Sequence, residues 1–114
     1  MSGAGDGAAV EFVRVARVGD IRPGAGAVVI AKGVRVALFH HRDGGYFALR
    51  NHCPHMGGSL GEGPLEGDVV ICPDHGWTFD VRTGRHTRAD LIAVRTFPVR
   101  VDGEDIYVGM EGGR

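Results

Sequence analysis

The sequence predicts an all-β fold, an antiparallel sandwich or barrel. No window of a dozen residues holds the i, i+3, i+4, i+7 apolar spacing of a helix. Instead, short β-rich runs recur between turn signals made of Gly, Asp and Pro. The 114 residues fit one domain with little left over. Two Cys in a chain that is 43% hydrophobic exclude a disulfide scaffold, and 24% charged residues is too ordinary for a disordered chain.

The elements follow in order. Residues 1–9 hold no large apolar residue after Met1 and are expected to form a disordered tail. The domain is expected to span 10–110, with 111–114 a C-terminal tail. Val10 to Val18 is β-rich, and Arg22-Pro23-Gly24 breaks it. Val28 to Lys32 is a short apolar run that Gly33 turns. Val34, Val36 and Leu38 lie on one face of the next strand, because side chains alternate. Arg42-Asp43-Gly44-Gly45 turns it into Tyr46-Phe47-Ala48-Leu49. Near the C-terminus Phe97, Val99 and Val101 alternate on one strand, and Asp102-Gly103-Glu104 turns it into Ile106 and Val108.

Residues 51–92 fit this pattern least. They hold both Cys and seven of the 20 Gly. Gly weakens strands, so such a stretch inside a β-domain points to backbone wrapped around something that is not protein. The stretch contains Cys53-Pro54-His55 and Cys72-Pro73-Asp74-His75. Two close Cys–His pairs on two loops make a four-ligand metal site. Zinc accepts two Cys and two His, but its fingers pair like with like and place the His on a helix. A mixed pair on each loop suits a two-iron cluster in which two His replace two Cys on one iron. Each loop then gives one Cys to the inner iron and one His to the outer. A zinc site, or two unrelated Cys–His pairs, is the plainer alternative. Gly57, Gly58 and Gly76 offer backbone that can approach bridging sulfides, and Pro54 and Pro73 stiffen the loops.

Asn51-His52-Cys53-Pro54-His55-Met56-Gly57-Gly58 and Cys72-Pro73-Asp74-His75-Gly76-Trp77-Thr78-Phe79-Asp80, followed by Thr83-Gly84, resemble the two cluster-binding loops of the Rieske [2Fe-2S] ferredoxins. The likeness runs from about Glu11 to Val108. It implies a Rieske-type antiparallel β-sandwich with both cluster-binding loops at one tip. It also implies one [2Fe-2S] cluster held by Cys53, His55, Cys72 and His75. Met56, Gly57, Gly58, Pro73, Gly76 and Trp77 are then expected to lie around those ligands. High-potential relatives add one Cys to each loop and bridge them; the matching positions here are Gly58 and Asp74. Those relatives also bond Ser and Tyr hydroxyls to the cluster and a ligand sulfur, where this chain has Trp77 and Phe79. Fewer hydrogen bonds to sulfur leave the reduced charge less compensated, so a low potential is expected.

The remaining features read more plainly. His40 and His41 are expected to be solvated or at the core edge, His52 an ordinary surface His, and His86 structural or solvated. Trp77 reads as core packing and as a candidate shield of the cluster. Arg88 to Ala93 occupies the place of a third, Pro-containing loop that shields the cluster in many relatives, but it has no Pro. Gly24-Ala25-Gly26 lacks the helix a dinucleotide site needs.

A chain this short without a flavin or nicotinamide fingerprint is expected to carry electrons rather than transform a substrate. The resemblance implies an NAD(P)H-dependent flavoprotein reductase as donor and a terminal oxygenase as acceptor. Val36-Ala37-Leu38-Phe39 and Thr96-Phe97-Pro98-Val99 also look like the small subunit of NAD(P)H nitrite reductase, whose partner would be the large nitrite reductase subunit. A net charge of −1 gives no reason to expect nucleic acid. No apolar run approaches a bilayer span, and no basic-then-apolar leader opens the chain, so neither a membrane nor secretion is expected. The expected location is the cytoplasm, where two Cys serve better as ligands than as a bridge.

Overall fold

The computed structural model describes residues 10–111. The expected tails, 1–9 and most of 111–114, lie outside the described residues. Twelve strands form among those described, with one short 3-10 turn, Leu60–Glu62, between the fourth and fifth. The first four are β1 Val10–Arg17, β2 Ala25–Ala31, β3 Val34–His40 and β4 Tyr46–Arg50. Then come β5 Leu65–Glu66, β6 Val69–Ile71, β7 Thr78–Asp80, β8 Arg85–His86 and β9 Ala89–Ala93. The last are β10 Thr96–Phe97, β11 Val99–Asp102 and β12 Asp105–Glu111. They pair antiparallel in three sheets: β9-β8-β7-β6-β5, β10-β4-β3-β2 and β11-β12-β1.

The expected strands are present, and two differ in an instructive way. The C-terminal run is two strands, because Pro98 has no N–H to continue a ladder. Phe97 pairs with Ala48 in one sheet, Val99 with Val108 in another, and Pro98 passes the chain between them. The apolar run at 28–32 begins earlier, at Ala25, because the turn Lys32-Gly33 fixes the register back along β3. Both turn residues have positive φ, 49° and 79°, as a two-residue type I′ hairpin requires.

The sheet of β2, β3, β4 and β10 serves two cores. Val36 and Leu38 face one, with Ala48, Phe97, Ile106, Val108 and Met110. Ala37 and Phe39 face the other, with Leu49, Leu60, Val70, Phe79, Val81 and both cysteines. Val36-Ala37-Leu38-Phe39 is therefore continuously apolar because both faces of β3 are covered. Each of the large side chains fully buried here contributes roughly 1.5–3 kcal/mol. The second core is the floor on which the two loops stand.

A polar staple joins the layers beside that floor. His41, only 7% exposed, directly follows β3. Asp43 N–H donates to its Nδ1, and on the other side of the ring Nε2 lies 2.6 Å from Asp68 Oδ1 as an ion-pair contact. Arg82 Nε reaches the same oxygen at 3.1 Å, and its guanidinium lies 4.7 Å over the Phe47 ring. Arg82, with His41 adding to it, holds the Asp68 carboxyl below the usual carboxylate range. His41 is thus a buried link between sheets, where the sequence suggested a solvated or edge residue.

Candidate metal centre

The first loop leaves β4 through Asn51. This buried side chain donates from Nδ2 to Ser59 Oγ at 2.9 Å and accepts the Gly61 N–H on Oδ1 at 2.6 Å. It ties the entry of the loop to its exit. Its position before Cys53 was the only sequence signal for that role, because polar residues at loop starts are common.

The two loops close in the same way. The Cys53 carbonyl accepts the Gly57 N–H at 2.7 Å, and the Cys53 N–H donates to the Gly58 carbonyl at 2.9 Å. In the second loop the Cys72 carbonyl accepts the Gly76 N–H at 3.0 Å, and the Cys72 N–H donates to the Trp77 carbonyl at 2.7 Å. The fourth residue after each Cys is a Gly at positive φ, 76° for Gly57 and 79° for Gly76. A side chain there would be strained, which accounts for these two glycines. The loops differ in where the His falls, two residues after Cys53 and three after Cys72.

The four candidate ligands divide by burial. Cys53 is 1% exposed and Cys72 2%, and neither forms a disulfide. His55 and His75 are exposed, with ring centroids 4.7 Å apart. Burial pushes the Cys53 thiol up, and the adjacent Cys72 thiol adds to this, while the backbone N–H groups of His55 and Met56 act the other way. Those N–H groups are what a ligating thiolate needs as hydrogen-bond donors. Among the described residues, no three His, Cys, Asp or Glu side chains converge as a single-ion site would require. A two-iron cluster asks only two protein ligands of each iron, and a buried sulfur pair below an exposed imidazole pair meets that demand.

Gly58 is buried, and a Cβ on it would come 2.7 Å from Cys72 Sγ and 2.9 Å from Asp74 Oδ2. Gly58 and Asp74 therefore face each other across the loops with no bridge between them. Pro73 is exposed, and Met56 is 65% exposed beside His55. Trp77 stacks on His55 at 4.5 Å between ring centroids, so it covers a candidate ligand as well as packing on the core.

His86 is more than a solvated turn residue. Its ring meets Trp77 edge-on at 4.9 Å and Phe79 at 5.3 Å, and its Nδ1 accepts the Arg88 N–H at 3.0 Å. It buttresses Trp77 from behind. The segment at 88–93 is not a covering loop. Ala89–Ala93 is the edge strand β9, paired to β8 only at Ala89 and Ala93, so the residues between bulge out and Leu91 is fully exposed.

The chain matches the Rieske [2Fe-2S] domain family over residues 11–98. It is 36% identical over 103 residues to the ferredoxin component of a biphenyl 2,3-dioxygenase from Rhodococcus jostii, covering 90% of this chain and 95% of that protein. The structure is similar to the ferredoxin of carbazole 1,9a-dioxygenase from Nocardioides aromaticivorans. The TM-score is 0.78 at 33% identity, covering 85% of this chain and 95% of that one. A putative NADH-dependent nitrite reductase small subunit from Mycobacterium tuberculosis shares the fold, with a TM-score of 0.86 at 23% identity over 92% of this chain and 99% of that one. Matched from Glu11 to Pro98, and alike in fold and length to these ferredoxins, the chain belongs to the Rieske [2Fe-2S] domain family and its cofactor is that family's cluster.

Proposed function

We propose that this protein is a one-electron carrier of an oxygenase system, receiving electrons from an NAD(P)H-dependent flavoprotein reductase and passing them to a terminal oxygenase. The observation that carries this is the split donor set: buried Cys53 and Cys72 below exposed His55 and His75. The likeness to ferredoxin components of dioxygenases supports the choice of partners. The two buried sulfurs would hold the cluster from the core side and the two exposed imidazoles from the solvent side. Bound there, the cluster supplies a one-electron couple.

The chain's own residues do the rest. The matched backbone closures fix each Cys relative to its loop, so the ligand frame changes little between oxidation states. Trp77 lies against the His55 ring and keeps water from that side, with His86 behind it. The exposed rings of His55 and His75 form the face a partner meets, and encounters of this transient kind are small and wet. Trp77 and Phe79 offer no hydroxyl to the sulfurs, which supports a potential at the low end of roughly −150 to +300 mV. The two thiols, unbridged and facing the site, support a cytoplasmic location. Among the described residues, no helix is long and apolar enough to cross a membrane.

The test is a visible and EPR spectrum with a midpoint potential. Rieske bands and a negative midpoint are expected, and Trp77→Ser with Phe79→Tyr is expected to raise the midpoint. A colourless zinc protein, or a midpoint well above zero, would defeat the reading. Co-purification with a large sirohaem subunit would favour the nitrite reductase alternative.

A further inference from the structure

Resting on the electron-carrier reading, we infer that a basic groove beside the first cluster loop seats a carboxylate-rich surface of a redox partner protein. The groove is two adjoining cavities. One, of about 250 Å³, is lined by Lys32, Arg50 and Arg95 over Phe97, with Glu111 at its edge. The other, of about 210 Å³, adds Arg35 and ends at His52. Arg50 and Val34 are common to both.

The fold gathers cations that the sequence scatters. Arg35 is the second residue of β3 and Arg50 the last of β4, which brings both to the open end of that hairpin. The Asn51 N–H donates to the Arg35 carbonyl at 2.9 Å, and the Arg50 N–H to the Arg95 carbonyl at 2.8 Å. Lys32 pairs with Glu11, and Arg95 with Glu111 at 2.6 Å. Arg35 and Arg50 form no ion pair among the described residues. Four cations thus stand against two carboxylates, on a chain whose net charge is −1.

The groove runs to the cluster loop. His52 closes its upper end, and its ring lies against Gly57, where a Cβ would come 3.3 Å from Cε1. A partner seated in the groove therefore also meets the first cluster loop at His52 and Gly57. The cations are exposed and their stems flexible, unlike the enclosed, fixed donors of a small-ligand pocket. Exposed charge of this kind steers encounter and fixes register, which is what a short-lived electron-transfer contact needs.

The test titrates the cluster-loaded protein at low salt with a Glu-rich peptide of alternating Glu and Ser, read by calorimetry. Arg35→Glu with Arg50→Glu is expected to weaken binding by at least about tenfold and to flatten its salt dependence. The control, Arg22→Glu with Arg42→Glu, makes the same charge change. Arg42 sits at the turn end of the β3–β4 hairpin, roughly 20 Å from Arg35 along a seven-residue strand. Its binding is expected to change by less than about twofold. Equal losses in both variants, or none in the first, overturn the groove. So does free glutarate binding as tightly as the peptide, which would make it a small-anion site. Should the Glu pair fail to fold, Arg35→Gln with Arg50→Gln is expected to give a smaller loss in the same direction, and no loss overturns the proposal. Each sample's visible spectrum and one-electron reduction are recorded. Their absence in the unaltered protein defeats the carrier reading, whereas an intact cluster with unchanged peptide binding defeats only the groove.

Discussion

Gly58 and Gly76 allow the two constraints on the cluster loops, space and backbone conformation, to be separated. In Gly58→Ala the new Cβ lies 2.7 Å from Cys72 Sγ and 2.9 Å from Asp74 Oδ2. Relaxed contacts lie at about 3.5–4.0 Å, so something must retreat by roughly 1 Å. The exposed Asp74 can swing away, but Cys72 is buried and its sulfur is the proposed iron ligand. Overpacking of this kind costs about 1–3 kcal/mol. In Gly76→Ala no heavy atom lies within 4 Å of the new Cβ, but φ is +79°. The left-handed conformation costs about 1–2 kcal/mol. Both variants are therefore expected to melt lower, by about 4–8 °C per kcal/mol at this size. They should differ in cofactor: Gly58→Ala displaces a ligand sulfur and is expected to lose iron and visible absorption, while Gly76→Ala keeps both. Iron and sulfide per chain, absorption and calorimetry on the two variants decide it. Full iron content with unaltered bands in Gly58→Ala would refute the reasoning, as would a larger iron loss in Gly76→Ala.

Three further outcomes follow from contacts away from the ligands. The Asp68 carboxyl is held low by Arg82 and His41, so its contribution to stability is present above the unfolded carboxylate pKa of about 3.9 and fades as pH falls through its lower folded value. Asp68→Asn is expected to flatten the acid limb of a stability-against-pH curve, and an unchanged limb would contradict the staple. The Tyr46 hydroxyl is buried without a hydrogen-bond partner among the described residues, so Tyr46→Phe is expected to hold or raise the denaturation midpoint. A drop would mean the hydroxyl has a partner. Asn51→Ala removes both bonds that tie the first loop and leaves the buried Gly61 N–H unpaired, at about 1–3 kcal/mol, which chemical denaturation of the cluster-loaded protein measures.

The family and its cofactor were legible because the motifs that carry them are written in local spacing: Cys53 to His55 and Cys72 to His75 each lie within one loop. The strands were legible for the same reason, from alternation and turn residues. What escaped depends on distant partners. Nothing near His41 announces Asp68 and Arg82, and nothing near His86 announces that Trp77 leans on it. Val36-Ala37-Leu38-Phe39 showed one apolar face to a period-two reading, while its second face is fixed by Val70 and Phe79 in another sheet. The run from Phe97 to Val101 alternated well enough to read as one strand, and Pro98 alone separates it into two sheets.

The shared sheet has a consequence for how the protein matures. Both proposed thiol ligands lie in one core, and the other contains no ligand at all. The layer of β1, β11 and β12 can therefore condense on β2, β3 and β4 before any iron arrives. That half presents Asn51 and the first loop on an already ordered edge, leaving the second loop and its short strands to close last. Assembly in that order would make metal delivery the final step of folding.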